Sequence, residues 1–254
     1  MLKSNSGTWL LEQGRDSFRG SLRHLGASYV DALFLHAPLG DGSGGLAGGD
    51  LEAWAAMEDL VQDGSVRFLG ASNVNAEQLR ILLGLAGDAK IRIKPSYIQN
   101  RVYGSKGGER WDGAVRALCA EHGVAYQGFS LLNANRHLTA HPRAAAIAER
   151  HGLSVEQLVL LFAMRRGMTP LVGPRSPQHQ REDIELVAQG EAGEGLCDDR
   201  LHLSEAELLE IEQIGAKDRQ RKQASPPGSK GAAKPGAAHG RRPLTVLGAD
   251  DSLK

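Results

Sequence analysis

Apolar residues dominate the stretch Tyr-Val-Asp-Ala-Leu-Phe-Leu-His-Ala-Pro at residues 29–38, and the proline ends it. So dense a run predicts a strand covered on both faces, the condition of a parallel sheet flanked by helices. Short runs at residues 66–70, 91–99, 124–129 and 169–173 predict further strands. Pro95 falls near the start of the 91–99 run, where losing one ladder donor is tolerated.

Between these runs apolar residues recur at a helical period. Phe18, Leu22 and Leu25 predict a helix over 15–25 ended by Gly26, and Leu51, Trp54, Met57, Leu60 and Val61 predict one over 51–62 ended by Gly64. Asn75 with Gln78, Ser154 with Gln157, and Ser204 with Glu207 have the spacing of a capping box, which satisfies the first free N–H groups of a helix. Trp111, Val115, Leu118 and Cys119 predict a helix running to His122-Gly123, and another ends at His151-Gly152. A histidine in a last helical turn complements the helix dipole, so both are assigned capping roles. One more helix is predicted around residues 180–188. Strand and helix alternating in this way argue for a parallel sheet with right-handed crossovers. A doubly wound sheet and a (β/α) barrel both satisfy the spacing.

The patterned body spans residues 15–215. Residues 1–14 carry no pattern and are expected to be unstructured. Residues 216–254 are rich in Ala, Gly, Pro and Lys/Arg, too poor in apolar surface to offset their ordering entropy, and are expected to form a disordered low-complexity tail.

Thirty basic residues balance thirty acidic ones, which gives no electrostatic reason to expect nucleic acid or an anionic membrane as partner. The two cysteines, Cys119 and Cys197, lie at neither metal-ligand nor redox-motif spacing, so a reducing compartment is expected. No apolar run reaches the length of a membrane span, and the first residues lack the order of a secretory signal. The expectation is a soluble cytoplasmic protein. The glycine-rich stretch at 39–50 lacks the Gly-Lys-Ser/Thr ending of a phosphate-binding loop and is read as a flexible strand-to-helix connection.

Candidate chemistry lies at the carboxyl ends of the predicted strands: His36, then Ser72-Asn73, Gln99-Asn100, Phe129-Ser130 and Arg175-Ser176. Each is unremarkable alone. Hydrogen-bonding or charged side chains at successive strand ends point to the rim where α/β barrels build ligand sites. Amides and hydroxyls suit a carboxamide, a flat ring suits stacking, and an arginine beside a serine suits a phosphate.

His36 in its strand, the run from Trp54 to Asn73, and Gly-Pro-Arg-Ser-Pro-Gln-His-Gln-Arg-Glu-Asp at 173–183 together resemble the aldo-keto reductases, in the order that family has them. The resemblance implies a (β/α)8 TIM barrel, here incomplete with about five parallel strands, and NADPH-dependent reduction of aldehydes and ketones. It implies that His36 orients the carbonyl substrate, and that Ser72, Asn73 and Gln99 hold the nicotinamide carboxamide. It implies that Phe129 stacks on the nicotinamide in place of the usual tyrosine, that Ser130 and Leu132 meet the pyrophosphate, and that Arg175 and Ser176 meet the adenosine 2′-phosphate. Asp183 stands where an asparagine commonly meets the adenine.

The sequence departs from the family at its front, where the barrel strands carrying the family's Asp, Tyr and Lys have no counterpart in residues 1–15. Tyr29 is expected at the amino end of its strand, and Lys3 lies in an unpatterned segment, so neither replaces the family's acid. A truncated reductase and a non-catalytic remnant that binds nucleotide or a partner protein both fit this pattern. Five strands of a barrel would leave two open edges, which a partner protein could cover.

Overall fold

The computed structural model describes residues 10–87, 90–105, 110–191 and 201–216. The elements are α1 (Leu10–Leu25), β1 (Val30–Leu35), α2 (Gly48–Gln62), β2 (Val66–Ser72), α3 (Ala76–Leu82), β3 (Tyr97–Arg101), α4 (Gly113–Glu121) and β4 (Ala125–Phe129). After them come α5 (Leu131–Ala134), α6 (Arg136–Thr139), α7 (Pro142–Arg150), α8 (Val155–Arg165), β5 (Thr169–Leu171), α9 (Pro177–Glu191) and α10 (Glu205–Ala216). The expected tail past Ala216, and Cys197 and Lys3, lie outside the described residues.

All five strands are parallel and lie in the order β1-β2-β3-β4-β5. A doubly wound sheet reverses its order at a switch point, whereas each connection here steps to the next neighbour, as in the wall of a barrel. Among the described residues β1 and β5 each pair on one side only.

Alternation along each strand separates two faces. Leu33, Leu35, Leu69, Ile98 and Tyr126 are buried beneath the helices. Phe34, Gly70, Tyr97 and Ala125 lie in register on the other face, the one a closed barrel would enclose. Gly70 is required there because a Cβ would overlap the Phe34 ring.

Three helix starts are built as the sequence predicts. Asn75 Oδ1 accepts the Gln78 N–H at 2.9 Å while Gln78 Oε1 accepts the Asn75 N–H at 3.0 Å. Ser154 and Gln157 exchange the same pair of bonds, and Ser204 does so with Glu207. His122 and His151 occupy the C-caps of α4 and α7.

Other boundaries differ from expectation. α1 starts at Leu10 rather than Arg15, so the body begins earlier. β3 begins at Tyr97, not Ile91, because the preceding backbone is committed to α2. The buried Glu58 carboxylate accepts the Arg92 and Ile93 N–H groups at 2.7 and 2.8 Å, and the Trp54 indole donates to the Ile93 carbonyl at 3.1 Å. Sheet bonding starts only at Ser96, whose N–H reaches the Leu69 carbonyl at 2.8 Å.

Trp111 precedes α4 instead of lying in it. Trp111 and Asp112 have φ of 52° and 54°, a left-handed conformation that a helix interior excludes. The indole packs edge-on against Phe162 at 4.8 Å and donates to the Glu212 carbonyl at 3.3 Å. A Cβ on Gly215 would overlap that indole, and one on Gly104 would overlap the Gly215 backbone. Two glycines thus let the end of α10 seat against the β3–α4 connection.

The glycine-rich loop before α2 is organised around two carboxylates rather than left free. Buried Asp50 accepts N–H groups from Leu39 at 2.8 Å, Gly40 at 3.0 Å and Ala47 at 2.9 Å. Asp41 Oδ1 accepts those of Ser43 and Gly45.

Candidate functional site

Because the strands are parallel, their carboxyl ends share one edge of the sheet. β1 ends at Leu35, so half-buried His36 is the first residue past it. β2 ends with Ser72, only 1% exposed, and Asn73 follows in the left-handed region at φ 59°. Asparagine tolerates that conformation better than other residues with a Cβ. Asn73 Nδ2 donates to the His36 carbonyl at 2.8 Å and to Ser72 Oγ at 3.1 Å, and its backbone N–H reaches the Gln99 carbonyl at 3.2 Å. One residue thereby ties the ends of β1, β2 and β3.

Ser72, Gln99, Gln127 and Thr169 form a row across β2 to β5. Gln99 Nε2 donates to Gln127 Oε1 at 3.0 Å. Gln127 is a site residue that the sequence reading missed. Its signal was its place two residues before Phe129 on the same strand, hence on the same face.

These bonds leave a defined set of groups for a ligand. Asn73 commits both amide N–H bonds and presents its oxygen, whereas Gln99 spends one N–H on Gln127 and keeps its oxygen and its second N–H. Ser72 Oγ accepts from Asn73 and keeps its O–H to donate. The donors left on Ser72 and Gln99 and the acceptor oxygens of Asn73 and Gln99 complement a primary carboxamide, which has one acceptor oxygen and two N–H bonds.

Phe129, partly exposed, ends β4 in register with Arg101 on one side and Leu171 on the other. Ser130 follows in the left-handed region at φ 58° and caps α5, where Leu132 is partly buried against the core. Arg101 was not picked out from the sequence. Its guanidinium lies 5.3 Å from the Tyr103 ring centre, at the same sheet edge.

Arg175 and Ser176 follow β5. Ser176 Oγ accepts the His179 N–H at 3.2 Å at the start of α9, and the Arg175 side chain is exposed. Asp183 lies further along α9, where burial raises its carboxyl pKa, nearby His179 opposes that, and Glu182 adds to it. Among the described residues no hydrogen bond links these three to the His36–Gln127 cluster, so the sheet edge brings the residues together in two groups. Tyr29 precedes β1 at the opposite end from His36 and is stacked under the Arg67 guanidinium at 4.3 Å. At about 3.3 Å per residue the strand separates them by roughly 20 Å. No cluster of His, Cys, Asp or Glu among the described residues could hold a metal ion, and no helix there is long and apolar enough to cross a membrane.

The profile of the Aldo/keto reductase family matches residues 10–189. Among similar proteins, 2,5-diketo-D-gluconic acid reductase B of a Corynebacterium species is 27% identical over 175 residues, 67% of this chain and 57% of the relative. The glycerol 2-dehydrogenase (NADP(+)) of Hypocrea jecorina is 26% identical over 209 residues, 68% of this chain and 62% of the relative. A crystal structure of an aldo/keto reductase from Brucella melitensis superposes with a TM-score of 0.64 at 22% identity, over 84% of this chain and 71% of that one. The chain thus spans little more than half the length of the curated relatives it matches. Matched along residues 10–189 and wound as one wall of a barrel, it belongs to the Aldo/keto reductase family.

Proposed function

We propose that this chain carries the nucleotide-binding wall and the carbonyl-orienting histidine of an NADPH-dependent reductase of aldehydes and ketones. The observation that carries the reading is the bonded set His36, Ser72, Asn73 and Gln99, whose remaining donors and acceptors complement a nicotinamide carboxamide. Phe129 would supply the stacking face, and Ser130 and Leu132 the pyrophosphate contact. Arg175 and Ser176 would hold the 2′-phosphate and Asp183 would stand at the adenine. NADP in the name of the Hypocrea relative supports that choice of nucleotide.

NADPH, when bound, supplies the hydride. The residues described here orient the nicotinamide and the carbonyl; none of them is a tyrosine or lysine placed to protonate the nascent alkoxide beside His36. A general acid contributes ~10²–10⁴ in rate, so this stretch binds nucleotide well and reduces carbonyls poorly unless other residues bring the acid. Titration of the purified chain with NADPH, followed by nucleotide fluorescence, tests the reading. Saturable binding that His36→Ala leaves intact and Asn73→Ala weakens is expected; no binding refutes it.

The one-sided pairing of β1 and β5 among the described residues favours a second element of the proposal. Unpaired parallel edges attract further strands, and a protein partner would pair with them.

A further inference from the structure

We propose that Asn100 is a positioning residue for the nicotinamide end of the site, acting through Val74 on Asn73, with Asp112 and the Tyr126 hydroxyl locking it in place. The proposal rests on the nucleotide-binding reading above. Asn100 follows Gln99 on β3 and therefore faces the opposite, helix-covered side, where it is 5% exposed. Its Oδ1 accepts the Val74 N–H at 3.0 Å and its Nδ2 donates to the Val74 carbonyl at 2.7 Å. One side chain thus satisfies both backbone groups of one buried residue, as a neighbouring strand would.

Asn100 is itself held. Nδ2 also donates to Asp112 Oδ2 at 2.7 Å, and the Tyr126 hydroxyl donates to the same oxygen at 2.7 Å. Asp112 and Trp111 keep their left-handed backbone within this set of bonds, a conformation that persists only where the surroundings over-determine it. Val74 adjoins Asn73, and its other neighbour, Asn75, is fixed by its cap and by a bond from its Nδ2 to the Gly44 carbonyl at 2.9 Å. With Val74 clamped, Asn73 has one way to direct its amide, nitrogen toward His36 and Ser72 and oxygen toward the ligand. Asn100 and Tyr126 lie on the covered face and act on the ligand only through that turn.

The test uses Asn100→Asp and Tyr126→Phe, with NADPH and adenosine 2′,5′-bisphosphate as separate probes. The bisphosphate has the 2′-phosphate end of the cofactor and no nicotinamide. Asn100→Asp keeps the acceptor for Val74 and loses the donors, so NADPH is expected to bind about tenfold more weakly. The bisphosphate is expected to bind as before. The NADPH loss should diminish as pH falls and the introduced carboxyl gains a proton to donate. Tyr126→Phe gives a smaller loss in the same direction, and it decides alone if Asn100→Asp does not fold. Glu207→Gln, at the α7–α10 contact, is expected to lower stability without moving either affinity. Equal weakening of both probes in Asn100→Asp and Tyr126→Phe, or no weakening in either variant, overturns the proposal. A parent chain that binds neither probe overturns the nucleotide-binding reading and this inference with it.

Discussion

The side chains of Gln99 and Gln127 meet amide to amide across β3 and β4, nitrogen of the first to oxygen of the second, at 3.0 Å. In the proposed site that contact would fix which atom of Gln99 meets the nucleotide. Gln127→Leu releases Gln99 to rotate and should weaken NADPH and NADH alike, each by about fivefold, since one hydrogen bond is worth roughly 1 kcal/mol and both cofactors carry the same carboxamide. A loss confined to one cofactor would show that Gln127 acts elsewhere.

Arg175 makes the opposite prediction. Its exposed guanidinium, two residues before α9, suits a phosphate that NADPH has and NADH lacks. Arg175→Ala should reduce NADPH affinity on the order of tenfold or more and leave NADH nearly unchanged. Parallel titrations of both cofactors check this, and equal losses remove the phosphate assignment.

Much of this fold is legible in the sequence because its signals are local. The boxes at Asn75, Ser154 and Ser204, the glycines at 26 and 64, and the parallel winding all follow from period and punctuation. The misplaced start of β3 does not. Glu58 lies 34 residues before Arg92 in sequence, and apolar periodicity cannot show that a carboxylate from α2 has taken the N–H groups that a strand would use. Trp111 fails for a similar reason: its apolar spacing suits α4, but its left-handed backbone is imposed by packing against Phe162 and Gly215. The site divides the same way. Strand-end position picked out His36, Ser72, Asn73, Gln99 and Asn100 and the family resemblance supplied roles for the first four, whereas Gln127 and the clamp that Asn100 makes on Val74 emerge only from register and side-chain bonds.

Stability should show an acid transition centred on Glu207. Burial would raise this carboxyl, but bonds from the Ser204 N–H and hydroxyl, Arg150 and His151 outweigh burial and bring it down to about 2 from an ordinary 4.5. A depressed pKa means stability present above about 4.5 and lost as pH falls through about 2. Glu207→Gln should cost roughly 2 kcal/mol in urea unfolding at neutral pH, and the gap from the parent should close on acidification. A gap that is constant with pH would assign the effect to packing.

Cys119 should be inert. Burial pushes its thiol up to about 12, Asp112 adds to that and Arg116 opposes it, so almost no thiolate exists near neutral pH. Alkylation followed by peptide mass mapping should leave Cys119 unmodified in the native protein and modify it fully in denaturant. Labelling under native conditions at the rate of a free thiol would contradict its buried position.

The glycine-to-indole seat at the end of α10 has a consequence for synthesis. Phe162 covers one side of the Trp111 indole, but the rest of its cover comes only when Gly215 arrives, more than a hundred residues later in translation. A ribosome-bound chain can assemble β1 to β5 beforehand, but with a tryptophan on the β3–α4 connection covered on one side only. The body therefore closes late, and chaperone contact with nascent chains should fall off once that glycine has emerged.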